Sequence, residues 1–214
     1  MRILLFDTET TGLPKSREPA TAGPNNWPHL VSIAWIIIEN EQIVKKEYYL
    51  IKPQWVIPED ASKIHGITQE KAEAEGFPLS DIITKFLSEQ HDILIAHNLS
   101  FDLNVLVNAV LWDLGKPYPN FGKTFCTMEA SRIICKMPFG NGRSGYKSPK
   151  LSELHQFITR RPTDTTSLHN ALYDTTLLAD IVLKSTVLRS MIGLPVVPNK
   201  LTNDYSIIGT TLRL

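Results

Sequence analysis

The sequence predicts an α/β fold, a mixed β-sheet flanked by helices. Three observations carry this. Short runs rich in Val, Ile and Leu recur at residues 3–6, 30–38 and 93–95, the mark of buried strands. Only Glu39-Asn40-Glu41 separates the second run from residues 42–51, so those two form an antiparallel hairpin. Beyond residue 78, segments of helical spacing alternate with strands. Strands joined through helices run parallel with a right-handed crossover. Parallel strands together with a hairpin make a mixed sheet with helices on its faces.

The elements follow in order. Residues 3–6 are a strand closed by a Thr/Gly turn. Residues 14–28 hold four prolines, Gly23 and two asparagines, and read as a loop. Residues 30–38 and 42–51 are the hairpin, and short Pro- and Gly-punctuated segments lead on through Ile64-His65-Gly66. Apolar residues at 79, 82, 83, 86 and 87 predict a helix over 79–90. A fourth strand at 93–95 precedes a helix capped by Asn98 or Ser100 and running to Leu114, before Gly115 and Pro117. A fifth strand is expected at 121–127, then a helix from Met128, a loose loop at 137–149, a helix at 151–158 and a last helix from about 168 to 188. This sets a domain at residues 1–189 and a tail at 190–214, which either packs on the domain or docks a partner.

Bulk properties narrow the function. The 22 basic and 22 acidic residues cancel, so no global positive charge marks a protein that holds nucleic acid by charge alone. Residues 132–161, however, carry seven basic side chains and one acidic one, Glu153. Within them Gly140-Asn141-Gly142-Arg143-Ser144-Gly145 fits G-x-G-x-x-G but lacks the strand before and the helix after that a dinucleotide site requires. It reads as a mobile basic loop suited to steering a phosphate backbone. Cys126 and Cys135 make neither a disulfide framework nor a zinc site, and are expected as reduced thiols. Only four apolar residues follow Arg2 before Asp7, too few for a signal peptide, and residues 30–38 are too short to span a bilayer. A cytoplasmic protein is expected.

Chemistry is concentrated in three places. In Asp7-Thr8-Glu9-Thr10-Thr11-Gly12, strand alternation puts Asp7 and Glu9 on one face, where two carboxylates repel. No Lys or Arg lies between Arg2 and Lys15 to balance them, so a hard divalent cation is the simplest partner. Asp102 ends Ala96-His97-Asn98-Leu99-Ser100-Phe101-Asp102, in the first turn of a helix after the fourth strand. Ligands gather at that edge of open α/β sheets. His169-Asn170-Ala171-Leu172-Tyr173-Asp174 opens the last helix. Five helical residues turn about 500°, leaving the two side chains about 140° apart. His169 therefore belongs on the lead-in or first turn, with Asp174 inside the helix. Four carboxylates suit two Mg²⁺ or Mn²⁺ ions about 4 Å apart. His169 suits a general base that takes a proton from water. The expected reaction is attack on a terminal phosphodiester, releasing a nucleoside 5′-monophosphate.

The three motifs, in this order, resemble the DEDDh (DnaQ-like) 3′→5′ exonuclease family, which includes the proofreading epsilon subunit of bacterial DNA polymerase III. The likeness spans about residues 2–185. It implies a ribonuclease H-like fold with a five-stranded mixed sheet, metal ligands at Asp7, Glu9, Asp102 and Asp174, and a general base at His169. Ile64-His65-Gly66-Ile67-Thr68 matches a family segment that helps hold the 3′ nucleotide, which makes His65 a substrate contact and Asp60 another. The resemblance also places Thr10, Thr11, Gly12, Leu13, His97, Asn98 and Phe101 around the terminal nucleotide. It implies a nucleic-acid substrate with a free 3′ end, single-stranded or frayed, with DNA favoured, and a polymerase as a possible partner. An RNA-trimming enzyme and a silent binding module of the same fold are the alternatives. The segment 14–29 is longer and richer in Pro and Asn than in many relatives, which bears on access to the groove.

Overall fold

The computed structural model describes residues 1–140 and 142–195. Five strands form one sheet in the order β3-β2-β1-β4-β5. They are β1 (Arg2–Thr10), β2 (Leu30–Glu39), β3 (Gln42–Leu50), β4 (Ile93–Ala96) and β5 (Thr124–Cys126). β1 is antiparallel to β2, and β2 to β3; β4 runs parallel to β1, and β5 parallel to β4. The expected α/β class and mixed sheet are borne out.

Alternation along β1 divides the core. Leu4 and Phe6 face one layer, with Leu79, Ile82 and Phe86 of α3 (Leu79–Ser88) and Val105 and Leu106 of α4 (Leu99–Asn108). Ile3 and Leu5 face the other, with Leu178, Ala179 and Val182 of α7 (Ala171–Lys184). Each fully buried Leu or Ile contributes about 1.5–3 kcal/mol. The pleat of β1 is thereby fixed, and with it the face on which each later residue of the strand emerges.

Several boundaries differ from expectation. β1 runs on to Thr10 because β2 pairs with it as far as Leu30. Two helices, α1 (Glu59–His65) and α2 (Gln69–Glu75), replace the expected Pro- and Gly-punctuated coil. Pro58, acidic Glu59 and Asp60 start α1, Gly66 ends it in the left-handed region, and the Thr68 side chain caps α2. Each has only seven residues, too few for an apolar period to emerge. The helix expected to reach Leu114 ends as α-helix at Asn108 and continues as a π turn, where Leu114 N–H reaches Ala109 C=O. Asn98, expected as a cap, makes no side-chain cap bond and sits in the left-handed region.

The last predicted helix is two. α7 begins only at Ala171, capped by Asn170, and stops at Ser185, whose side chain caps α8 (Thr186–Ile192). The expected domain boundary at 189 falls inside α8, and Ile192 and Leu194 pack into the α7-side core. Of the expected tail, residues 196–214 lie outside the described residues. So does Asn141, within the G-x-G-x-x-G string; the rest of that string lies between α5 (Thr127–Cys135) and α6 (Leu151–Thr159), with no strand before it. No helix among the described residues is long and apolar enough to cross a membrane. Cys126 and Cys135 are both free thiols.

Candidate active site

β4 pairs with β1 only as far as Leu5, so the carboxyl-terminal half of β1 has an open edge on that side. Asp7 and Glu9 emerge there on the face of Ile3 and Leu5, toward α7. Asp174 in the first turn of α7 meets them. One ligand oxygen from each of Asp7, Glu9 and Asp174 lies within 4.8 Å of the others. Asp102 comes from α4, in the opposite layer. Its Oδ1 accepts from the Thr8 backbone N–H at 3.2 Å and from the Thr8 hydroxyl at 2.8 Å. Asp102 thus takes the place of a strand partner at the open edge, and the site straddles the end of the sheet.

All four carboxylates line one cleft of about 420 Å³, whose walls contain no Lys or Arg. Asp102 is 3% exposed, Glu9 8% and Asp174 9%. Burial, reinforced by Asp102, Glu9 and Asp174, raises the Asp7 carboxyl well above its usual range. Glu9 is pushed to about 8 by burial and by Asp174 and Asp102. Asp102 rises to about 7 by burial, against its bonds from Thr8. Asp174 rises to about 6, again by burial, opposed by His169. Oδ1 of Asp174 is buried with no partner. Buried carboxylates that repel one another and keep an unused oxygen fit a divalent cation, which supplies the charge that no Lys or Arg of the cleft provides.

Three histidines border the cleft. His169 is exposed and left-handed, at φ 62°. Its backbone N–H donates to Asp174 Oδ2 at 3.1 Å. This places His169 on the lead-in to α7 and ties it to a site carboxylate. His65 is buried, and its Nδ1 accepts from the Ile67 N–H at 3.1 Å. A neutral His65 therefore carries its proton on Nε2, which has no partner in hydrogen-bond geometry. Burial lowers its pKa, against the neighbouring Thr10 carbonyl. His97 bonds Thr127 Oγ1 at 3.1 Å and the Pro149 carbonyl at 3.0 Å.

Thr10, Gly12, Leu13, His65, His97, Asn98 and Phe101 line the cleft with the four carboxylates and His169. Two residues named from sequence do not. Asp60 is exposed on the first turn of α1, which turns Ala61, Ile64 and His65 toward the cleft instead. Thr11 secures the loop: its N–H donates to the His29 carbonyl at 3.0 Å, and its hydroxyl accepts from the His29 N–H at 3.0 Å. Sequence reasoning missed Thr8, Ala61, Ile64 and Leu151, which also line the cleft. Thr8 could have been found, because the alternation that pairs Asp7 with Glu9 turns Thr8 toward the α4 layer. Nothing in the sequence signals Leu151.

A mixed five-stranded sheet with an acidic, metal-competent cleft at the open edge of its central strand defines the ribonuclease H-like class. Comparison with known proteins narrows this. Residues 4–182 match the model of the RNase_T exonuclease family, and the chain belongs to that family. The DnaQ-like resemblance of the three motifs is thus borne out. The DNA polymerase III epsilon subunit of Buchnera aphidicola is 37% identical over 108 residues, covering 49% of this chain and 43% of the relative. The 3′-5′ exonuclease DinG of Bacillus subtilis is 30% identical over 162 residues, 75% of this chain and 16% of the relative. The chain thus spans less than half the length of either. Among solved structures, exonuclease X in complex with 5′ overhanging duplex DNA has a TM-score of 0.58 and 23% identity, with 91% of this chain and 95% of that one covered. E. coli exonuclease I with a dA16 oligonucleotide has a TM-score of 0.67 and 16% identity, covering 89% and 42%. These likenesses establish the fold.

Proposed function

We propose that the chain is a two-metal 3′→5′ exonuclease that removes nucleoside 5′-monophosphates from a free DNA end. The observation that carries the reading is the convergence, from three separate elements, of four carboxylates on one cleft lined by no Lys or Arg. The domain responsible is residues 1–189, extended by the packed end of α8. Two divalent cations, Mg²⁺ or Mn²⁺, would be held by Asp7, Glu9, Asp102 and Asp174 and would supply the positive charge that activates water and stabilises the leaving oxygen.

The chain's own residues do the rest. Thr8 orients Asp102, and Asp174 anchors the His169 backbone. The exposed His169 ring takes the proton of the attacking water. His65 offers a neutral N–H beside the Thr10 carbonyl, a donor and an acceptor side by side for a terminal sugar hydroxyl. Leu13, 81% exposed, and Ile64, 60% exposed, offer apolar surface to the terminal base. The epsilon relatives make a polymerase the natural partner, in a cytoplasmic setting.

The test is purified protein with Mn²⁺ on a 5′-labelled single strand of DNA and on RNA of the same sequence, with 3′ ends free or blocked. DNA should shorten stepwise from a free 3′ end and stop with EDTA. Internal cuts, or cutting of blocked ends, would replace this reading with an endonuclease. Preference for RNA would move the substrate class, and no cutting of either would leave a binding module.

A further inference from the structure

Three cavities follow one another along α4. The catalytic cleft shares Asn98 with a groove of about 440 Å³, and that groove shares Leu103 and Tyr118 with a third cavity of about 460 Å³. The floor of the middle groove is apolar, with Leu99, Leu103, Val107 and Met128, and no Lys or Arg lines it. Glu129 is its charged residue. At its junction with the third cavity stands Tyr118, 61% exposed between Pro117 and Pro119.

The outer wall is the long segment between β1 and β2, through Pro19 and Thr21. This wall is anchored. The Ala20 N–H donates to Asn104 Oδ1 at 2.7 Å, and Trp112 Nε1–H donates to the Ala20 carbonyl at 2.7 Å. Ala20 is fully buried, and the Trp27 ring lies 5.7 Å from that of Phe101, a cleft residue. This segment builds a lip along α4, with Pro19 and Thr21 lining the groove beside the cleft.

We propose that this groove carries the part of the substrate strand just upstream of the 3′-terminal nucleotide, in single-stranded form, with a base stacked on Tyr118. The proposal rests on the exonuclease reading and adds to it a path for the upstream strand and a residue, Tyr118, that holds it. Continuity through Asn98 leads the strand from the cleft into the groove. The apolar floor and exposed ring favour stacking, which every base can satisfy and which a paired base cannot reach. The lack of cations argues against phosphate-led binding there.

The experiment compares wild type, Tyr118→Ala and Tyr118→Phe on two substrates, a DNA pentamer and the p-nitrophenyl ester of thymidine 5′-monophosphate, which is too short to enter the groove. On the pentamer, Tyr118→Ala should raise KM about tenfold, the scale of one base–aromatic stack, and Tyr118→Phe should restore it. On the ester all three should be equal. A pentamer with 2-aminopurine third from a nuclease-resistant 3′ end should be quenched on binding wild type and not Tyr118→Ala. Equal losses on both substrates, or an unchanged pentamer KM with unchanged quenching, overturns the proposal. If wild type hydrolyses neither substrate, the exonuclease reading fails first and takes the proposal with it.

Discussion

His97 and His169 border one cleft and are held in opposite ways. His97 follows β4 directly and spends both ring nitrogens. The Pro149 carbonyl can only accept, so Nε2 carries the proton, and Nδ1 then accepts from the Thr127 hydroxyl. Burial pushes its pKa down to about 4, against the Pro149 carbonyl. His169 sits in the left-handed region ahead of α7 and is exposed, with its backbone N–H held by Asp174 and its ring making no hydrogen bond to the described residues. A neutral ring with no spare lone pair cannot receive a proton from substrate, whatever its distance. In the proposed mechanism the chemistry therefore falls to His169 and the carboxylates, while His97 joins β4, α5 and the lead into α6 as a strut.

The division can be attacked hardest at Asp174, a proposed metal ligand that also anchors the His169 backbone. Asp174→Ala should lower turnover on the order of 10⁴-fold, the scale for losing a member of a unit that acts together. Circular dichroism should be unchanged. Activity within tenfold of wild type would remove the carboxylate cluster from the chemistry. His169→Ala isolates the proton transfer and should cost about a hundredfold or more in kcat with KM little changed. An equal loss in His97→Ala would erase the contrast between the two rings.

How much of this contrast was legible in the sequence depends on how local each cause is. The strands at 30–38 and 93–95 are contiguous apolar runs, so pattern alone finds them. Asp7 and Glu9 share a face by alternation, and the place of His169 ahead of its helix follows from the helical angle to Asp174. Asp102 is different. That it reaches round from the opposite layer depends on β4 ending early and leaving the Thr8 N–H unpaired, a fact of sheet register. The seven-residue α1 and α2 carry no period, so the approach of Ala61 and Ile64 to the cleft was hidden. His97 looked like its cleft neighbours because its partners, Thr127 and Pro149, lie 30 and 52 residues away.

The carboxylates and His97 should also part company in their response to metal and pH. For the carboxylates the folded-state values, about 8 for Glu9, 7 for Asp102 and 6 for Asp174, lie above the ordinary 4.5 and 3.8. Between about pH 4 and 8 the folded, metal-free chain holds more protons than the unfolded one, so its stability falls as pH rises through that window. A bound cation replaces those protons. Mn²⁺ at a hundredfold excess over its Kd should stabilise by about 2.7 kcal/mol, and at a fixed Mn²⁺ concentration the rise in Tm should be larger at pH 8 than at pH 5. Thermal unfolding with EDTA and with Mn²⁺ at both pH values measures it. An equal shift at both would mean that the ion does not compete with these protons.

The smallest effect tests the strut itself. His97→Ala removes two hydrogen bonds; the Thr127 hydroxyl can turn to the Ala96 carbonyl at 3.3 Å, but the Pro149 carbonyl is left to find water, a loss of about 1–3 kcal/mol, while kcat stays within about tenfold. The sign with pH separates this from general core damage. The folded-state value of His97, about 4, lies below the usual 6.5. Its contribution is therefore complete above pH 6.5 and is lost as the pH falls toward 4, because the unfolded chain takes up the proton first. The stability gap between wild type and His97→Ala, read from urea unfolding, should narrow steadily over that range. A gap that stays constant with pH would mean that the ring is held by packing alone, and that its two hydrogen bonds are not what joins β4 to α5 and α6.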